Sequence, residues 1–341
     1  MLALRRGVVT SAEAGVDGPA LDRLVVEVAE ESRPAVAYRS LTGPTELGDE
    51  VLVNVAAVDL GLGSGGFDLV HANLSRGLGA PPDAGARVMK QNYTSIQHGV
   101  RPVEVRAPAG LGAARGAPVA VIALHAQLPC VAWAAGRVAR GARIGYVQTW
   151  GGALPGALSD SVRELRERGL LAGHVSAGAA FGAEEEAITV HGAIHAGLTS
   201  LGWDAAIVGA GPGVLGSGTA LGHGGLAALD AAHAALSLGA RTVLVPRMSS
   251  GDPRPRHDGL SHHTATVLEL LLRPVLVAVP EGRRRPLPGG HRTRLGRAEL
   301  DGYAASGLPA STMGRGMSED PLFFRAALAG GDVLGELVRA L

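Results

Sequence analysis

A single cysteine, a single lysine and the absence of any long apolar run set the outer limits on this chain of 341 residues. With Cys130 alone there is no intramolecular disulfide, which suits a reducing compartment. No stretch of about 18 uncharged apolar residues occurs, so no membrane-spanning helix is expected. The opening MLALRRGVVTSAEAG puts Arg5 and Arg6 after an apolar triplet and then turns polar. That is the wrong order for a secretory signal, and a cytoplasmic protein is expected. Neither sign of charge is in excess, since 31 Lys and Arg balance 31 Asp and Glu. The balance argues against nucleic acid or an anionic membrane as partner. Because Lys90 is the only lysine, a Walker-type phosphate loop is excluded. No G-x-S-x-G elbow occurs either, so the common serine-hydrolase arrangement is not supported.

What is plentiful is glycine, with 51 residues against an ordinary share of roughly 7%. Glycine motifs therefore arise by chance more often here than usual. At roughly 100–200 residues per domain, the length predicts two domains, or one large domain with an appendage.

The fold class expected is mixed α/β. Residues 1–106 read as a small β-barrel-like domain, with strands at Leu24–Val28, Ala35–Tyr38, Glu50–Val55 and Phe67–His71 separated by turn signals. Ala107 to Pro118 is rich in Gly, Ala and Pro and reads as a linker. Residues 117–280 read as a parallel-sheet α/β domain. Apolar runs such as Val119–Leu124, Arg143–Val147, Ala205–Val208, Thr242–Val245 and Pro274–Val279 have the pattern of strands buried on both faces. Helix-like stretches separate them, at 160–171, 184–201, 223–238 and 260–272, and Glu184–Glu186 is expected at a helix start. Residues 281–341 read as a loop carrying Arg283, Arg284 and Arg285, then a helical tail whose Phe323, Phe324 and Leu328 can pack back.

Three segments carry chemistry. Gly209 to Thr219 follows a strand, and Gly211, Gly213 and Gly216 fit G-x-G-x-x-G, with Gly218 and Thr219 beyond. Glycines there let backbone N–H groups approach an anion. A dinucleotide site also needs an acid about 20 positions on, at a strand end. Asp230 has the spacing but falls within a predicted helix, so a generic anion loop or a plain tight turn remains. The second segment, Arg247 to His263, follows the next strand. His257, Asp258 and His262 or His263 have the chemistry to bind a divalent metal. Alternatively Arg247, Arg254 and Arg256 clamp a phosphate or carboxylate while a histidine moves a proton, with Ser261 capping the following helix. The third segment gathers polar residues around Lys90, which is a candidate anion contact or base reaching in from the β domain. His125 follows a strand end too, and reads as structural.

The GPGxxGxGT segment at 211–219, the RHxGxSHH segment at 256–263, Met89-Lys90 with Tyr93-Thr94 and Gln97, and Met313-Gly314-Arg315 with Glu319-Asp320 together resemble an uncharacterised bacterial family, a domain of unknown function. The resemblance covers most of the chain and implies no particular activity; it marks these segments as the family's hallmarks. Relatives often read His-Ser-Gln at His125-Ala126-Gln127 and place an acid at Trp150, so the resemblance assigns those two loops no catalytic role. The expectation is an enzyme, hydrolase or transferase, acting on a small anionic metabolite. The other reading is a non-catalytic sensor or a homo-oligomeric assembly protein, and a homo-oligomer fits either.

Overall fold

The computed structural model describes residues 2–14, 20–63, 65–79, 81–281 and 287–341, so the basic triplet Arg283, Arg284 and Arg285 lies outside the described residues. The chain divides into two compact units, Met1–Arg101 and Pro102–Leu341. The mixed α/β class stands, with a five-stranded barrel in the first unit and an eight-stranded sheet in the second.

The first unit is built from β1 (Leu4–Ala14), β2 (Leu21–Val28), β3 (Glu31–Tyr38), the single helical turn α1 (Arg39–Thr42), β4 (Glu50–Asn54), a second turn α2 (Ala56–Asp59) and β5 (Asp68–Asn73). These close in the order β1-β2-β3-β5-β4, with β4 pairing back on β1. Alternation does the sorting. Leu24, Val26 and Val28 of β2 point into the core with Val51 and Val53 of β4, while Arg23 and Glu27 face outward. Ala29 and Glu30, both at positive φ, make the two-residue turn that suits a twisted hairpin. One pairing, β3 with β5, is parallel. Three aspartates buried in this unit are each met by an arginine: Asp68 by Arg33 at 2.6 Å, Asp22 by Arg39 at 2.6 Å and Asp49 by Arg76 at 2.8 Å. A hairpin of β6 (Val88–Lys90) and β7 (His98–Val100) follows, and in it Lys90 is buried.

The second unit runs β8 (Pro118–Ile122), α3 (Leu128–Val138), β9 (Ile144–Thr149), α4 (Asp160–Glu167), β10 (Gly173–Ala177), β11 (Glu185–Ala187), α5 (Val190–Thr199), β12 (Ala205–Ala210), α6 (Ala227–Ser237), β13 (Arg241–Val245), the short β14 (Met248–Ser249) and β15 (Gly259–Leu260), α7 (His262–Leu270), β16 (Leu276–Pro280), β17 (Arg292–Gly296), α8 (Leu300–Ala305) and α9 (Pro321–Arg339). Eight strands form one parallel sheet in the order β11-β10-β9-β12-β8-β13-β16-β17. Its two faces are covered by different helices. Val119, Val121 and Val208 pack under α5, α6 and α7, whereas Ala120, Ile122 and Ile207 pack under α3, α4 and α9. Gly331 and Gly335 let α9 lie close on α3, where a Cβ would come within 3 Å of Val131, Ala134 and Val138.

Three stretches differ from the sequence reading. Glu184–Glu186 does not start a helix: Glu185 and Glu186 begin the edge strand β11, and the Glu186 carboxylate accepts from Ser176 Oγ at 2.7 Å and Gly182 N at 2.6 Å. The 107–118 stretch falls within the second unit and is anchored to it, with Ala114 fully buried and the Gly110 carbonyl 3.0 Å from His195 Nε2, while Pro108, Ala109 and Gly112 stay exposed. After residue 281 the chain adds β17 to the sheet before its helices, on a strand with Arg292 and Arg294 at an edge that water can reach.

Candidate functional site

A cavity of about 430 Å³ opens at the carboxyl ends of β8, β12 and β13. There β8 sends its connection to α3 on one face, while its neighbours β12 and β13 send theirs to α6 and α7 on the other. Diverging connections leave a crevice at that point in open parallel sheets. All the described lining residues belong to the second unit: His125 after β8, Gly213 and Gly216 after β12, and Arg247, Arg254, Arg256, His257 and His263 after β13, with Met313 Sδ against Arg247 and Arg254.

The segment after β13 is held by backbone pairing. β14 pairs with β15, the Arg247 N–H donates to Thr264 Oγ1 at 2.9 Å, and the Ser261 N–H donates to the Arg247 carbonyl at 3.0 Å. Ser261 caps α7 by accepting from the His263 N–H at 3.3 Å, as the sequence predicts. These contacts bring Arg247 beside His263, with Nη1 3.4 Å from Nδ1.

Charge is concentrated at this end. The fully buried Asp252 carboxylate accepts a two-pronged pair from Arg254 at 2.8 and 2.7 Å, and single bonds from Arg247 at 3.1 Å and Arg315 at 3.2 Å. Hydrogen bonding to Arg254 leads in holding that carboxyl far below the usual carboxylate range. Asp320, also buried, takes Ser249 Oγ at 2.6 Å, the Ser250 N–H at 2.8 Å and Arg315 at 3.4 Å. Burial pushes the Arg247 guanidinium down to about 10, which leaves it charged at neutral pH. Arg256 is exposed and makes no hydrogen bond or ion pair among the described residues. Three guanidiniums, those of Arg247, Arg254 and Arg315, thus meet two buried carboxylates, and the fourth, Arg256, is left over.

Four imidazoles stand beside them. His223 stacks on His263 with ring centres 3.8 Å apart, and His262 lies 4.4 Å from His263 and 4.9 Å from His257. Burial, reinforced by Arg247, pushes His257 down to about 3; burial, with His223 and Arg247 next, pushes His263 down to about 2. His223 and His262 are lowered as well, chiefly by burial. All four are neutral at pH 7. His257 Nδ1 lies 2.8 Å from Ser261 Oγ. Among the described residues, neither ring nitrogen of His223, nor Nε2 of His262, has a well-formed hydrogen bond, although the Ala220 backbone stands near His223.

The glycine loop divides. Gly213 and Gly216 line the cavity. Gly211 does not; it permits a close backbone crossing, where a Cβ would sit 2.2 Å from the Ala153 carbonyl. Gly218 and Thr219 lie outside the lining, and Thr219 Oγ1 closes a local turn with Ser217 Oγ at 2.8 Å and the Gly222 N–H at 3.1 Å. Helix α6 starts only at Ala227, so the glycines do not abut its N-terminus. Asp258 is exposed and stands outside the set of converging histidine nitrogens. Lys90 belongs to the other unit.

Sequence reasoning passed over His223 and read His125 as structural. His223 was hidden in a glycine-rich stretch, though Gly216 and Gly225 leave the room for its stacked pair: a Cβ at Gly216 would lie 3.2 Å from the His223 Cβ, and one at Gly225 2.9 Å from its Nδ1. His125 lines the cavity and is tied down on both nitrogens, with Nε2 2.7 Å from Ser159 Oγ and Nδ1 3.2 Å from both the Ala210 carbonyl and Tyr146 Oη. Burial pushes it down to about 4.

Fold and site together define an α/β protein with a doubly covered parallel sheet and a histidine- and arginine-lined cavity at the carboxyl ends of its strands. The chain belongs to the family described as a protein of unknown function (DUF3866), whose model matches residues 34–331. No curated protein and no solved structure matches it.

Proposed function

We propose that the protein is an enzyme, a hydrolase or transferase, that acts on a small phosphorylated or otherwise anionic metabolite bound in this cavity. One observation carries the reading: Arg247, Arg254 and Arg256 line the cavity and, among the described residues, no carboxylate does. Arginine forks match phosphate and carboxylate oxygens. The volume suits a small metabolite. His257 and His263 supply neutral imidazoles whose free nitrogens can either take a proton from a bound group or ligate a metal, and the backbone at Gly213 and Gly216 gives an anion close approach.

The test is binding of inorganic phosphate, sugar phosphates and nucleoside monophosphates, read by thermal shift and calorimetry. An anion at 100 times its Kd stabilises the fold by about 2.7 kcal/mol. Arg256→Ala is the discriminating variant. Exposed and unpaired, Arg256 leaves stability within about 0.5 kcal/mol when removed, while anion affinity falls roughly tenfold, the loss of one charged hydrogen bond. Failure of every anion to stabilise the wild type, or unchanged affinity in the variant, overturns the reading. Binding without turnover of any phosphate ester removes the enzyme and leaves a ligand sensor.

A further inference from the structure

We propose that His257, His262 and His263 are the ligand set of a transition-metal dication of the zinc class, and that an anion in the cavity completes its coordination. The second clause rests on the anion reading above; the first stands without it.

The three residues each offer a ring nitrogen within 4.8 Å of the others. Two are adjacent at the start of α7 and the third lies in the turn before it, so one short segment carries the whole set. His257 has the second contact expected of a metal-bound imidazole, with Nδ1 fixed by Ser261 Oγ at 2.8 Å and Nε2 left to ligate. Independently, buried nitrogens here lack partners. Among the described residues His262 Nε2 has none, and His223, 5% exposed, has no well-formed hydrogen bond, only the Ala220 backbone nearby, while its ring lies 3.8 Å from that of His263. Buried polar atoms are ordinarily hydrogen-bonded, and a cluster of unpartnered imidazole nitrogens in one place is what a bound ion would satisfy. Nitrogen donors without a carboxylate suit zinc, cobalt or nickel and exclude magnesium and calcium, which take oxygen ligands.

The arginines decide what else must be present. A dication next to Arg247 and Arg254 is repelled unless negative charge comes with it, and neutral imidazoles bring none. Arg247 also donates toward His263 Nδ1 at 3.4 Å, which places the proton of that ring on Nε2. Ligation through Nε2 moves the proton to Nδ1, ends the contact and frees a guanidinium donor beside the cavity. Metal and anion therefore favour each other, and by linkage each tightens the other by the same factor.

The experiment uses the full chain, free of any histidine tag and stripped by a chelator. Zinc is titrated by calorimetry and cobalt by its visible absorption, each with and without inorganic phosphate. The expected result is one equivalent per chain, lost by about 100-fold or more in His262→Ala. Half-exposed His262 is the variant expected to fold, and far-ultraviolet circular dichroism checks that it does. Phosphate should tighten zinc, and zinc phosphate, by an equal factor of about ten. No stoichiometric metal in the wild type, or undiminished affinity in His262→Ala, overturns the metal site; phosphate stabilising the metal-free protein in that case leaves the anion reading standing. Metal binding with no phosphate effect overturns the coupling and counts against the anion reading.

Discussion

Both units bury aspartate–arginine pairs, and they balance them in opposite directions. In the barrel, Arg33 meets Asp68 at 2.6 Å, Asp59 at 2.7 Å and Glu31 at 3.5 Å, so one guanidinium is shared among several carboxylates. In the second unit one carboxylate, Asp252, is shared among Arg254, Arg247 and Arg315. The first arrangement staples β3 to β5 and leaves its surplus negative charge on Asp59 and Glu31, which water reaches. The second leaves positive charge over, and the surplus lies along the wall of a cavity. Burial and ion pairing alone do not mark a site; an imbalance that only a ligand can settle does.

The contrast is most easily broken at its centre. Asp252→Asn removes the one carboxylate facing three guanidiniums and should cost about 3–5 kcal/mol, the penalty for leaving buried charge without its partner; denaturant unfolding of the full chain measures it. Asp68→Asn in the barrel should cost less, about 1–3 kcal/mol, because Arg33 keeps Asp59 and Glu31. Equal losses in the two variants would erase the distinction drawn between them.

A smaller and more graded difference is expected in acid. Burial pushes His125 down to about 4 and His174 down to about 3, while the unfolded chain titrates near 6.5. Below pH 6.5 the unfolded state binds protons that the native state refuses, so stability is full above that pH and falls as the pH drops toward 4. Each group contributes up to about 1.4 kcal/mol per pH unit across that window. The barrel has no buried histidine among its described residues, so the loss belongs to the second unit. The thermal midpoint against pH should show it, with a shallower slope in His174→Phe, a variant that keeps the stack on Tyr146 (ring centres 5.2 Å apart). An unchanged slope would remove His174 from the account.

How far the sequence could be read differs from strand to strand for physical reasons. β8, β12 and β13 are buried on both faces and read as apolar runs. β10 is equally buried, yet His174 and Ser176 interrupt it, and only the stack on Tyr146 and the bond to Glu186 make those residues acceptable inside. β1 escaped because its pairing with β2 shifts register between Val9 and Ser11, which breaks the alternation. The candidate site divides in the same way. The segment from Arg247 to His263 stands out for its density of histidine and arginine. That Asp258 points away, that His223 arrives from a glycine-rich loop and that Arg315 shares Asp252 are facts of long-range packing.

The sequence by itself determined the two-part α/β architecture, since apolar periodicity and turn residues act within a few positions of one another. It also determined which segment carries the unusual chemistry. Tertiary structure alone decided that three guanidiniums would meet two buried carboxylates, and that three imidazole nitrogens would come within 4.8 Å. Charge balance and hydrogen-bond satisfaction are properties of a place in space, and that place is assembled by strands that are neighbours in the sheet but distant in the chain.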